Sequence, residues 1–327
     1  MIGPRVIDPN KPHVDISVVI PIFNEETNIV ELFKRLMVVL TATGKTFEVI
    51  FVDDGSQDQS WSILSKLYQE HKSIVRAVAF SRNFGHQLAL TAGFHHCRGE
   101  AAIVMDADLQ DPPELIEKLY EKIKEGYDVA YAKRIRRRGE SFFKLATARL
   151  FYFFLNKLGR IDFPLNTGDF RLFNRKVLNT FKNMREQHRF IRGMIPWLGF
   201  NSAPVYYERD RRFAGNTKYP VRKMFIFALD AIFSFSNAPL RIGSYIGLSM
   251  ISFSILGGIF MLYLRFFTSY YVPGIPAVIL SIILLSGVQI FMIGIVGEYI
   301  GRIFQETKNR PLYIVDRLIN FPTKQKE

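Results

Sequence analysis

Two stretches of the chain, residues 242–264 and 274–297, contain no charged side chain. Each exceeds the roughly 20 residues that a helix needs to cross the hydrocarbon layer of a bilayer. Both are therefore expected as membrane spans. The connecting segment, 265–273, is short and holds aromatics suited to the interface. Positive charge stands outside the pair, at Arg241 before it and at Arg302, Lys308 and Arg310 after it. By the positive-inside rule both ends of the chain are expected in the cytoplasm. Gly243, Gly247, Gly257, Gly258, Gly287 and Gly294 permit close helix packing. Residues 1–10 show no apolar signal-peptide core. The single cysteine, Cys97, excludes an internal disulfide and fits a reducing compartment.

Ahead of the spans the pattern is different. Short apolar runs at 16–21, 47–52, 74–80, 101–105 and 128–132 read as strands. Between them, 25–40, 58–68, 86–97 and 113–123 carry apolar residues at helical spacing. Strand–helix alternation implies an α/β domain, Rossmann-like, with a doubly wound and mostly parallel sheet. Such sheets bind ligands beyond the carboxyl ends of their strands. Three polar clusters fall there: Phe23-Asn24-Glu25-Glu26, Asp53-Asp54-Gly55-Ser56 and Asp106-Ala107-Asp108. From Tyr131 the composition turns basic and aromatic. Residues 142–158 and 221–235 are too charged to span a bilayer and too apolar for ordinary surface helices. They are read as amphipathic helices in the membrane interface, the other reading being core helices of the soluble domain. The formal net charge of +13 calls for anionic partners. The basic residues flank apolar helices, not a soluble groove, so nucleic acid is not an expected partner.

The chemistry centres on residues 101–113. Five apolar residues end abruptly in Asp106 and Asp108, and Pro112-Pro113 follow. On an extended backbone the two carboxylates would point the same way. They would repel each other unless a cation lay between them. Hard divalent cations take oxygen ligands and keep room for phosphate, so the triplet reads as a metal clamp for a diphosphate, with Gln110 beside it. A calcium loop is rejected, because the glycine it needs at its sixth position is Asp111. Val52 to Ser56 would make an Asp-Gly turn with a Ser cap, and Asp54 is the choice for contact with a base. Pro21 to Glu25, including Phe23, would form the opposite wall of that site. Arg82 is placed to meet the nucleotide, whereas His86 reads as a capping or packing residue. Asn166 to Arg171 could be a plain Gly-Asp turn, but Asp169 stands as the one acid in a long basic-aromatic region. Arg209, Arg211, Arg212 and Lys218 form a second basic group where a lipid phosphate would arrive.

Taken in order, Pro-Ile-Phe-Asn-Glu (21–25), Val-Asp-Asp-Gly-Ser (52–56), Asp-Ala-Asp-Leu-Gln-Asp-Pro-Pro (106–113), Asn-Thr-Gly-Asp-Phe-Arg-Leu (166–172) and Ala-Gly-Asn-Thr-Lys-Tyr (214–219) resemble glycosyltransferase family two. More narrowly the chain is similar to the polyprenyl-phosphate glycosyltransferases, relatives of dolichyl-phosphate mannose synthase. The ending Gly-Glu-Tyr-Ile-Gly-Arg (297–302) and Arg-Pro-Leu-Tyr-Ile-Val (310–315) resembles the bacterial branch that glucosylates lipid carriers. The resemblance implies a GT-A fold, a nucleotide-sugar donor, Mg²⁺ or Mn²⁺, a polyprenyl-phosphate acceptor and the bacterial inner membrane. It places Asp106, Asp108 and Gln110 on metal and diphosphate, and Pro21, Phe23, Glu25 and Asp54 at the nucleoside. It sets Asp169 by the reacting centre, and Arg134, Arg212 and Lys218 on phosphates. The family's usual Tyr is Phe23 here, without a hydroxyl. Four parts are expected: a core over 1–140, an acceptor side over 141–240, a transmembrane hairpin over 241–300 and a tail over 301–327. The donor base and hexose stay open between UDP-glucose and GDP-mannose. A non-enzymatic, nucleotide-binding transport subunit is the rival reading. A homo-oligomer is expected, with a short strand at 312–315 as a candidate for pairing with another subunit's edge.

Overall fold

The computed structural model describes residues 13–135, 167–208, 238–267 and 274–321, and these fall into two compact units. The first holds 13–135, 167–208 and 310–321; the second holds 238–267 and 274–309. The two stretches expected to lie in the membrane interface are outside the described residues.

In the first unit the expected alternation is present. It runs β1 (Ile16–Ile22), α1 (Ile29–Ala42), β2 (Phe47–Asp53), α2 (Ser60–Glu70), β3 (Val75–Phe80), α3 (His86–His96), β4 (Ala101–Val104), α4 (Leu115–Lys124) and β5 (Val129–Arg134). Then come β6 (Thr167–Asn174), α5 (Arg175–Lys182), α6 (Ile191–Trp197), β7 (Ser202–Tyr207) and, after the second unit, β8 (Val315–Ile319). The sheet order is β7-β5-β6-β4-β1-β2-β3-β8. The central strands β4, β1, β2 and β3 are parallel, and β5 pairs parallel with β7. β6 runs antiparallel between β4 and β5, and β8 runs antiparallel on the outer edge of β3.

Helices on the faces of a parallel sheet bury both sides of its strands, so β1 and β3 are buried along their whole length and apolar except for Ser17 and Arg76. α1 lays Ile29, Leu32, Phe33, Leu36 and Leu40 on the sheet, the stripe expected of an amphipathic helix. α3 presses so closely on β1 that a methyl group on Gly93 would overlap the Val19 side chain, at 2.2 Å. A buried ion pair, Glu48 with Arg76, interrupts the apolar interior at one end of the sheet. Glu48 is fully buried and accepts from Ser17 Oγ (2.6 Å), Arg76 Nη1 (2.9 Å) and the Arg98 amide (2.8 Å). A buried charge survives only with such compensation. This one ties together the amino ends of β1, β2 and β3, leaving their carboxyl ends for the site.

The plain Gly-Asp turn, the alternative to a functional Asp169, is not formed: Gly168 and Asp169 lie inside β6, whose backbone bridges β4 and β5. The strand placed at 312–315 and offered to another subunit is instead β8 over Val315–Ile319, paired with β3 of its own chain. The edge of β3 is therefore covered by the chain's own tail, and β8 is the outermost strand of the sheet.

The second unit is α7 (Ala238–Phe267) and α8 (Ile275–Thr307). They contain windows, Pro239–Leu264 and Ser281–Thr307, long and apolar enough to cross a membrane, with mean hydropathy 1.9 in each. Their large apolar side chains face outward, Phe253 at 81% and Ile290 at 71% exposure. An outward apolar surface of that extent suits lipid, not water. α8 outlasts the expected 274–297 by closing its end with an Arg302–Glu298 pair at 2.8 Å.

Candidate active site

The site collects at the carboxyl ends of β1, β2, β4 and β5. β4 stops at Val104, and 107–108 form a turn, with Leu109 in the left-handed region at φ 57°. Strand alternation therefore does not aim the two acids, as the sequence reading assumed; the turn does. Asp108 Oδ1 folds back to accept from the Gln110 amide at 3.2 Å. Asp106 sits at the mouth of the turn. Its Oδ1 is buried without a hydrogen-bond partner. Burial and the neighbouring carboxylates of Asp169, Asp111 and Asp108 push its pKa up to about 6, against the opposing pull of His86. A negatively charged cluster with a buried oxygen that accepts no hydrogen bond fits a hard divalent cation.

Sheet register explains what faces it. β4 and β6 are antiparallel with Val104 opposite Arg171, so two residues further on Asp106 comes level with Asp169. Asp169 is 2% exposed. Arg192, in the first turn of α6, grips it with two bonds: Nε to Oδ1 at 2.8 Å and Nη2 to Oδ2 at 2.7 Å. Burial would raise the Asp169 pKa, but Arg192 and His86 hold it well below the usual carboxylate range. His86 is the first residue of α3; its Nε2 lies 3.2 Å from Asp169 Oδ2 and 3.6 Å from Asp106 Oδ1. Burial opposes its protonation, yet the two acids raise its pKa above the ordinary value. Ligand atoms of His86, Asp106 and Asp169 all fall within 4.8 Å of one another. Of the three, Asp106 is best disposed to take a cation, since both oxygens of Asp169 are engaged by Arg192.

The opposite wall is a zipper between the loops after β1 and β2. Ser56 Oγ accepts from the Asn24 amide (3.0 Å), and Asn24 Oδ1 accepts from the Gln57 amide (2.8 Å). Pro21 is buried within β1, Phe23 is 38% exposed at the rim, and Glu25 accepts from Asn28 Nδ2 at 2.6 Å. Asp54 is buried, and its carboxylate accepts from the amides of Phe84 (2.7 Å) and Gly85 (2.9 Å). It thus braces the 81–85 loop. Gly55, at φ 72°, lies against that loop: a Cβ there would stand 2.5 Å from the Arg82 carbonyl carbon. Only glycine satisfies both conditions. Arg82 is exposed and stacks over the Phe84 ring at 4.1 Å.

Arg134 ends β5 opposite Tyr207 of β7. Its Nε donates to Tyr207 Oη at 3.0 Å and its Nη2 lies 3.5 Å from Asp111, which also accepts from the tyrosine hydroxyl. Arg212 and Lys218 are outside the described residues. Gly168 makes room for this group: a Cβ would meet Arg134 Nη2 at 2.8 Å and Asp111 Oδ2 at 3.3 Å. Gly168→Ala is therefore expected to shift Arg134 and to raise the KM for a phosphate acceptor about tenfold, the worth of one charge-assisted hydrogen bond. Steady-state kinetics check this, and an unchanged acceptor KM would remove Arg134 from the acceptor site.

The structure brings together Asp106, Asp108, Gln110 and Asp169, sets Arg134 near them through Asp111, and keeps Asp54 in a bracing position. Sequence reasoning did not name Arg192 or Tyr207, gave Asp111 no role in the site, and read His86 as a capping or packing residue. Nothing local marks them; only the pairing of β6 with β4 and of β7 with β5 makes them neighbours.

The model of glycosyl transferase family 2 matches residues 17–181. Over 316 residues the chain is 46% identical to "Uncharacterized glycosyltransferase YkcC" of Bacillus subtilis (strain 168), covering 96% of this chain and 97% of that one. It is 40% identical over 303 residues to "Prophage bactoprenol glucosyl transferase homolog" of Escherichia coli (strain K12), covering 93% and 99% respectively. "Bactoprenol glucosyl transferase" of Shigella phage SfII is likewise 40% identical over 302 residues, covering 92% and 97%.

Proposed function

The chain belongs to glycosyl transferase family 2, and from that premise we propose that this glycosyltransferase moves a hexose, glucose from UDP-glucose, to a polyprenyl phosphate at the cytoplasmic face of a bacterial inner membrane. The observation that carries the reading is the acidic cluster around Asp106, whose Oδ1 is buried without a hydrogen bond, in a chain that also holds two helices apolar enough for a bilayer. Two relatives 40% identical along nearly their whole length bear the bactoprenol glucosyl transferase name.

The acceptor phosphate is already an anion, so the reaction needs positioning and charge neutralisation more than a strong base. Mg²⁺ or Mn²⁺, held by Asp106 and Asp108 with Gln110 alongside, would supply neutralisation of the departing diphosphate. Pro21, Phe23, Glu25, Asp54 and Arg82 would surround the nucleoside. Arg134, with Arg212 and Lys218, would hold the lipid phosphate. Direct attack on the anomeric carbon inverts configuration, so an α-linked donor would give a β-linked product. With two spans both chain ends would lie on one side, and the positive charges at Arg241, Arg302, Lys308 and Arg310 support the cytoplasm as that side.

The test is a donor screen with purified protein, Mg²⁺ or Mn²⁺ and a polyprenyl phosphate, read by the mass of the lipid product. UDP-glucose is expected to add one hexose. Product from GDP-mannose alone would overturn the donor assignment. Nucleotide binding without any lipid product would favour a non-enzymatic transport subunit.

A further inference from the structure

Asp169 is the acid that a reader of this site would nominate as a base, yet its geometry argues otherwise. Both of its oxygens are taken in short bonds by one guanidinium, at 2.8 and 2.7 Å, and Oδ2 also faces His86 at 3.2 Å. A carboxylate gripped in this two-pronged way is held as an ion, a weak proton acceptor whose in-plane oxygens are engaged by Arg192 and His86. The pair is also asymmetric. The Asp169 side chain is 3% exposed while that of Arg192 is 33% exposed. The carboxylate forms the floor and the guanidinium forms the accessible part.

The frame around Arg192 is built to fix that group. α3 tethers it twice from adjacent residues. His86 bonds the carboxylate that Arg192 grips, and Gln87 Oε1 accepts from the amide of Ile191, the residue before it, at 2.8 Å. Binding Nε and Nη2 to one carboxylate sets the plane of the guanidinium, so its direction is set before any ligand arrives. Arg192 is also close enough to His86 and Arg134 to act on both, beside the place where the carboxylates of Asp106, Asp108, Asp111 and Asp169 gather. A diphosphate leaving there, or a phosphate arriving, adds more negative charge and needs an aimed cation.

We infer that Asp169 is a positioning residue that aims Arg192, and that Arg192 contacts a phosphate oxygen during transfer. The phosphate belongs either to the nucleoside diphosphate or to the lipid acceptor, which share this chemistry. The inference rests on the sugar-transfer reading above.

The test is a double-mutant cycle on the full chain in detergent, with R192Q, D169N and the double variant. If Asp169 acts only through Arg192, each single variant loses about a hundredfold in kcat/KM and the double variant loses no more than R192Q alone. Binding of the nucleoside diphosphate is measured without acceptor. A tenfold weaker affinity in R192Q places the contact on the donor. An unchanged affinity with a tenfold higher acceptor KM places it on the lipid phosphate. Both outcomes support the inference. R192K keeps the charge without the fork and is expected to fall between R192Q and the native protein at an unchanged melting temperature. It decides the matter, with R192Q, if D169N does not fold. Losses that multiply in the double variant would overturn the inference, as would an R192Q protein with native affinity and native KM values. A native protein that makes no lipid product would instead defeat the transfer reading, a separate result.

Discussion

Asp106→Asn is expected to lower the rate of sugar transfer roughly a thousandfold while leaving the metal-free protein at least as stable as the native one. The loss follows from the removal of one full charge from the group best placed to hold a divalent cation, an electrostatic contribution of several kcal/mol. The stability effect has the opposite sign. Burial and three neighbouring carboxylates raise the Asp106 pKa to about 6, so the folded state holds its ionised form at a cost. A carboxyl whose pKa is raised on folding contributes most below its unfolded value and loses that contribution as pH climbs through 6. At pH 7 the asparagine variant escapes this cost. Its melting temperature, measured with chelator present, should rise by about 2–4 °C, equivalent to about 1 kcal/mol in a chain of this size. Full activity in the variant would remove the metal clamp from the mechanism. A lower melting temperature would show that the carboxylate is compensated, not strained. Such opposition between activity and stability is the usual mark of a functional charge cluster.

Deleting residues 310–327 is expected to destabilise the catalytic unit by about 5 kcal/mol and to weaken donor binding, although no deleted residue was assigned to the donor. β8 supplies the outer partner of β3, with Leu318 opposite Val78. Asn320 Nδ2 donates to the carbonyls of Lys72 and Val75 at 2.8 and 2.9 Å, and Phe321 lies under Arg76 at 3.9 Å. Tyr313 stacks on Phe80, with ring centroids 4.9 Å apart, and its hydroxyl meets His95 Nδ1 at 3.0 Å. Several ladder bonds, one aromatic stack and two cation–π contacts, the second being Arg317 over Trp61, each worth about 1 kcal/mol or less, add up to that figure. The Ser81 amide donates to Ile314 O at 3.1 Å, so the tail also holds the start of the 81–85 loop. That loop carries Arg82 and supplies the amides that Asp54 accepts. Thermal unfolding in detergent should show a fall of about 10 °C or more. Titration with a nucleoside diphosphate should show weaker binding below the transition. Native stability after the deletion would make β8 an ornament of the sheet. The exposed β3 edge would also invite aggregation.

Much of this protein could be read from residue order alone. The parallel strands are legible because strands covered on both faces are largely apolar, and the apolar runs break at Asp53 and Asp106. The two long helices are legible because no soluble interior would require uncharged runs of that length. The acidic turn is legible because Asp106 and Asp108 follow a strand, and the carboxyl end of a parallel strand is where such folds bind ligands. All three inferences are local. They need only periodicity, charge and the covalent neighbours.

What tertiary structure decided is which distant residues meet. Register between antiparallel strands set Asp106 level with Asp169, and nothing near residue 169 announces a partner 63 positions back. The bond from His86 to Asp169 closes a gap of 83 residues, and Arg192 enters on a short helix that sequence reasoning did not see. Gly168 looked like a turn because glycine beside an acid usually marks one; inside β6 it is instead the space that Arg134 and Asp111 need. The tail strand could have paired with any exposed edge, its own or a neighbour's, since a strand's sequence specifies its two faces but not the edge it joins. Sheet order is a property of the whole chain's packing, and these contacts follow from it.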